Sequence, residues 1–212
     1  MPVFGGAAAA KGSVNSQGAA LKQTSGPALE PVTLTEIKKH LRVDILDDDD
    51  LIGWRIQQAR EHAETFTNRQ FINATYTLKL DSLPGGTIVL PRPPLSSVTS
   101  ITYLDVDGAS QTLAATLYDV DTDTEPGLVT RGFNDTWPLT QDIHHAVTVT
   151  FVAGYGAATT NVPEAIRGAI MLLVGHWYDN RNAVVISIGG NVVQVPVGYK
   201  DLLWGYRIEE TG

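Results

Sequence analysis

The chain has 212 residues, 43% of them hydrophobic and 18% charged, which suits one globular domain with extensions or two small domains. It contains no cysteine, so disulfides, thiolate chemistry and cysteine-ligated metals are excluded. The formal net charge of -8 argues against a protein that grips nucleic acid by neutralising phosphates, and suits a surface that DNA passes without sticking.

Residues 1–30 are rich in Gly, Ala and Ser and cannot bury enough apolar surface to fold alone. They are expected to be a low-complexity arm: either a disordered tail or an extended segment lying on a neighbouring subunit. The start, MPVFGGAAAAKG, lacks the basic start and long apolar core of a signal peptide. No apolar run in the chain approaches a membrane span, so a cytosolic protein without a membrane partner is expected.

Globular structure is expected from Pro31. Thr33 and Glu36 have capping-box spacing, with Val32 and Ile37 placed as a hydrophobic staple, so residues 34–42 read as a short helix. Asp47, Asp48, Asp49 and Asp50 then precede an apolar stripe of Ile52, Ile56, Ala59, Ala63 and Phe66. Negative charge belongs at a helix N-terminus, and a second helix is predicted over residues 51–68.

From there the apolar period changes to two. Strands are predicted at residues 75–80 and 87–90, joined by Pro84-Gly85-Gly86, and at 98–106, which turns at Asp107-Gly108. Pro91, Pro93 and Pro94 interrupt the ladder between them. Further strands are expected at 113–120, 128–130 and 146–153. Residues 70–156 therefore form a β-rich insertion, an antiparallel sheet or small sandwich.

Residues 163–181 are the clearest helix, with Ala165, Ile166, Ala169, Ile170, Leu173, Val174 and Trp177 on one face. Pro163 suits its first turn and Asn161 is the candidate cap. Its natural partner is the 51–68 helix. Residues 184–198 carry Val184, Val185, Ile186, Ile188, Val192, Val193 and Val195 around a Gly189-Gly190-Asn191 tip. This is a hairpin, or a loop that orders against a neighbour, and its apolar content marks it as a subunit interface. Residues 199–212 hold a short C-terminal helix. The fold class is α+β: a small antiparallel helical bundle (31–69 and 157–183) with an inserted antiparallel β subdomain, a hairpin and a C-terminal helix.

Catalytic signals are weak. Asp119, Asp121, Asp123 and Glu125 alternate, but the glycine and closing glutamate of a calcium loop are missing, so a metal-dependent enzyme is a minor alternative. His144 and His145 would point to opposite faces of a strand and cannot easily share a metal. No nucleophile motif, phosphate loop or dinucleotide fingerprint is present, and neither catalytic residues nor a cofactor is assigned.

The order of motifs is more specific than any one of them. Leu34-Thr35-Glu36-Ile37-Lys38 with Leu41, Asp49-Asp50-Leu51-Ile52, residues 59–65, Asn68-Arg69 and Leu90-Pro91-Arg92-Pro93-Pro94-Leu95 with Ser97-Val98 come first. Pro163-Glu164-Ala165-Ile166, His176-Trp177-Tyr178, Asn180-Arg181, Leu202-Leu203 and Tyr206-Arg207 follow. Over about residues 32–208 the chain resembles the head–tail connector (adaptor, or head-completion) proteins of long-tailed bacteriophages.

The resemblance implies a structural protein of the virion neck, assembled in the host cytoplasm. It implies a ring, usually dodecameric, between the portal and the tail or its stopper, through which genomic DNA passes without specific binding. Another neck ring protein, a stopper or tail terminator, is the nearest alternative, but those are mainly β-barrels. The resemblance makes Leu202, Leu203, Trp204, Tyr206 and Arg207 the candidate portal contacts, and aromatics with Arg are the usual interface anchors. Asp47, Asp48, Asp49 and Asp50 are the candidate lining of the DNA channel.

Overall fold

A computed structural model describes residues 19–180 and 198–209. Helix α1 (Leu34–Leu41) starts as its sequence dictates: Thr33 Oγ1 accepts the Glu36 N–H at 3.2 Å and Glu36 Oε2 accepts the Thr33 N–H at 2.8 Å. Val32 and Ile37, the staple pair, are both buried. Helix α2 (Asp49–Thr67) buries Ile52, Ile56, Ala59 and Ala63 and ends at Asn68 in the left-handed conformation. Helix α3 (Glu164–Asp179) buries Ile166, Ala169, Ile170, Leu173 and Val174. Helix α4 (Gly198–Trp204) packs Tyr199 and Leu203 into the same core. Gly205 follows its last turn and is not one of its helical residues.

The α3 start differs from expectation. Pro163 stands just before the first helical residue and no side chain caps it. Asn161 instead sits in a short 3-10 turn, where its Oδ1 accepts the Ala158 N–H at 2.9 Å.

The β part is two antiparallel sheets. Strands β1 (Ala20–Ser25), β2 (Ala74–Leu80), β4 (Leu95–Leu104), β5 (Ser110–Thr112) and β8 (Val147–Ala153) form one, in the order β1-β2-β8-β4-β5. Strands β3 (Thr87–Leu90), β6 (Tyr118–Asp121) and β7 (Gly127–Arg131) form the other, in the order β3-β7-β6. Central strand β8 alternates strictly, with Val147, Val149, Phe151 and Ala153 inward. These meet Ile88, Leu90 and Val129 of the smaller sheet in a second core. Gly127 allows the close approach, since a Cβ there would lie 2.4 Å from Leu95 Cβ.

Three strand expectations change. Ordered structure begins before Pro31, because residues 20–25 extend the larger sheet from its β2 edge. Their sequence has no apolar alternation of its own, and the pairing partner supplies the order. The Pro84-Gly85-Gly86 link joins β2 to β3 in the other sheet and does not close a hairpin. The stretch 113–120 breaks into a 3-10 turn before β6. The Asp107-Gly108 hairpin forms as expected between β4 and β5, with Gly108 at φ 81°.

Helices and sheets meet where the chain leaves α2. The Phe71 carbonyl accepts the Tyr155 N–H and the Asn73 N–H reaches the Gly156 carbonyl, both at 3.0 Å. The prolines of the β3–β4 link cannot donate, but they accept: Pro93 O takes the Gln70 N–H and Pro94 O the Gly154 N–H. Beneath these bonds lies Glu64, which accepts from Arg60 Nη1 at 2.8 Å, Gln70 Nε2 at 2.7 Å and the Phe71 N–H at 3.0 Å. Of the hairpin or loop expected at 184–198, residues 184–197, with all seven of its candidate interface residues, lie outside the described residues, and Gly198 opens α4.

Candidate docking site

The α4 end of the helical bundle carries a connected aromatic surface. Phe66 near the end of α2 meets Tyr199 edge-on and Trp204 at a tilt, each pair with ring centroids 6.5 Å apart. His62, one turn earlier, lies 5.9 Å from Trp177 of α3 and 5.7 Å from Tyr199, with its Nε2 3.1 Å from the Tyr199 hydroxyl. The Arg207 guanidinium sits 5.5 Å over the Trp204 ring and 5.9 Å over Phe66. Desolvation, then the Lys200 charge, push His62 below its ordinary value; burial pushes the Tyr199 hydroxyl up.

The five candidate portal contacts do not share one role. Trp204 is 64% exposed and Leu202 38% exposed, while Leu203 is 0% exposed. Leu203 is therefore a core residue and not a contact: in a seven-residue helix only one face can be inward, and Tyr199 and Leu203, four apart, define it. Tyr206 is half-buried, and its carbonyl accepts from Arg69 Nε. Arg207 is exposed.

Arg69 fixes the segment. Its guanidinium grips Glu125 of the β6–β7 loop with bonds of 2.7 and 2.5 Å, and the Ile208 N–H reaches the Thr67 carbonyl at 3.0 Å. One side chain thus ties the end of α2, the β insertion and the C-terminal segment together. Sequence reasoning missed Arg69, His62 and Tyr199 here, because their meeting depends on packing and not on spacing. It also missed Trp54, which is 58% exposed on α2 with Arg55 lying 5.0 Å over its ring.

The candidate channel acids also divide. Asp48 accepts from the Tyr178 hydroxyl and Asp49 pairs with Lys38 Nζ, both at 2.5 Å. They bind the start of α2 to α3 and α1, so only Asp47 and Asp50 remain exposed. The acids considered for a metal diverge. Glu125 is held by Arg69, and Asp121 accepts from the N–H groups of Asp123 and Thr124 and from the Thr124 hydroxyl. His144 and His145 lie in the turn before β8, not on a strand, and both meet Asp81. Among the described residues no group of three or more His, Asp or Glu side chains could hold a metal ion. None of their helices is long and apolar enough to cross a membrane.

The chain is thus a mixed α+β module that carries an aromatic–arginine surface at one end. The chain belongs to the head completion protein family, whose model matches residues 30–199, and this is a structural family. No curated protein sequence matches. The fold is similar to chains in the neck of an empty gene transfer agent particle computed with C6 symmetry (21% identity, TM-score 0.74). It is also similar to chains in the neck of the native particle computed with C12 symmetry (20% identity, TM-score 0.73). In both cases 91% of this chain and 97% of the other are covered.

Proposed function

We propose that the protein is a structural adaptor of a phage-like neck. It forms a ring between the portal and the tail or stopper, extends the channel through which genomic DNA leaves the head, and resides in the virion after assembly in the host cytoplasm. Family membership supports the head-completion role, and the similarity to gene transfer agent neck chains, one set solved with C12 symmetry, supports a ring of twelve. DNA passes without specific binding, as a net charge of -8 favours, and Asp47 and Asp50 are the acids available to line the lumen.

The observation that carries the docking assignment is the pairing of exposure with rigidity at the C-terminal end. Trp204 offers a large, exposed ring, and Arg207 is stacked on it. Trp204 projects from a helix whose other face is sealed in the core, and Arg207 is laid on its ring by the segment that follows, so little freedom is lost on binding. Leu202, Trp204 and Arg207 therefore contact the portal, with Tyr206 at the rim. Native mass measurement and negative-stain imaging, with and without purified portal protein, test the reading. Rings alone or on the portal are expected; a chain that stays monomeric and never joins the portal would sink it.

A further inference from the structure

The two-sheet sandwich, with β1 at its edge, has two outward faces of unlike chemistry. In the larger sheet, residues alternate with the buried row, so the strand register defines what faces out. One cross-strand row runs Lys22, Thr77, Thr150, Ser100, and the next runs Lys79, Thr148, Thr102, Thr112. None of the five strands contains an Asp or Glu, in a chain that has 23 of them, and Lys22 and Lys79 are the only charged residues of those strands. Open sheet faces normally carry mixed charge; depletion of charge is a mark of an interface.

On the far side of the sandwich the smaller sheet turns out two rows: Thr87, Thr130, Asp119 and Val89, Leu128, Asp121. Ile88 and Val129, between them, are buried in the shared core. Val89 is 52% exposed and Asp119 is exposed. This face sets Val89 and Leu128 beside two threonines, with carboxylates along its β6 border, whereas the opposite face is hydroxyl-rich with lysines along its β1–β2 border.

We infer that these two faces are the complementary halves of the subunit contact: the Lys22/Lys79 face of one copy seats on the Val89/Asp119 face of the next. The inference rests on the ring proposed above. A ring contact between identical copies is heterologous, so each copy must present two different patches that fit each other and lie on opposite sides. The sandwich supplies opposite sides by construction, and the lysine and aspartate borders set polarity and register. The second copy is the occupant, because the charge complement of each face is the other face of the same chain.

The absence of cysteine makes the test clean. Thr150→Cys and Val89→Cys are prepared as separate full-length variants, assembled singly and mixed, and treated with a flexible bis-maleimide. Cross-linked dimers are expected from the mixture and not from either variant alone. Charge reversal is the second measurement. Lys79→Glu and Asp119→Lys each lose rings, and the chain carrying both regains them, because each reversed face then meets a reversed partner.

If wild-type protein forms no ring, with or without the portal, the neck reading and this contact fail together. If rings form but the mixture does not cross-link, or either variant cross-links with itself, this contact alone is overturned. Single reversals that assemble normally, or a double reversal that does not restore assembly, overturn it as well.

Discussion

Glu64 is 8% exposed, at the point where α2 hands the chain to the β insertion. Burial pushes its carboxyl up, to about 7, against the pull of Arg60 and the Phe71 N–H. Between its ordinary value of 4.5 and about 7, the folded protein holds a proton that the unfolded chain has released. This group's stabilisation is therefore complete below the lower value and is lost as pH rises through the upper one. His62, held low by desolvation, works the other way: the folded state resists the proton, so its contribution weakens as pH falls below the ordinary value of 6.5. Urea unfolding of wild type and Glu64→Gln between pH 5 and pH 8 separates the two. Wild-type stability should fall relative to the variant's across that window, and parallel curves would remove Glu64 from the account.

The same geometry predicts a pH-dependent cost for Arg60→Met. Arg60 also holds Glu30 at 2.8 Å, so its loss leaves Glu64 charged and buried with no cation. The expected cost is about 3 kcal/mol at pH 8 and clearly less at pH 5, where Glu64 takes up a proton. Equal costs at both values would contradict the assignment. None of this was legible in the sequence. The i,i+4 spacing of Arg60 and Glu64 is ordinary for an exposed helix pair, and its burial comes from Gln70 of the link after α2 and Tyr76 of β2 closing over it.

At the scale of elements, legibility followed period and length. The two long helices and most strands are visible in the sequence because each repeats its apolar spacing over several turns or pleats, and short α1 is visible through its capping box. Ile170 of α3 shows how far that reaches: it is 0% exposed and truncation to Ala should cost about 2–5 kcal/mol, read as a lowered urea midpoint with unchanged slope. Short elements were not legible in this way. Strand β1 has two apolar residues in six and is ordered by β2, and α4 is too short for its sequence to say which face turns inward. Removing residues 199–212 would therefore expose core as well as delete contacts, since Tyr199 and Leu203 go with it. Arg69→Lys is a gentler test of the clamp. Lysine keeps the charge but cannot reproduce the fork on Glu125 or the bond to the Tyr206 carbonyl. Hydrogen exchange at the Ile208 amide should accelerate while α3 amides stay protected.

For the whole molecule, the functional question is whether the C-terminal end binds the portal by its exposed face while its buried face serves the fold. Two adjacent residues separate these roles. Leu203→Ala removes a fully buried side chain and should lower stability by about 2–5 kcal/mol. Trp204→Ala removes a side chain that is mostly in solvent and already rests against Phe66 and Arg207. It should leave the urea midpoint within experimental error of wild type, yet weaken portal binding by about 2 kcal/mol, or roughly thirtyfold in Kd. Avidity in a ring would mask such a loss, so binding must be measured with ring-disrupted subunits. The Lys79→Glu variant supplies these, if the subunit contact is where the sheet faces place it. Loss of binding in Leu203→Ala well below its unfolding transition, with Trp204→Ala binding normally, would reverse the assignment and make the inward face of α4 the docking surface, exposed only when the helix leaves its core.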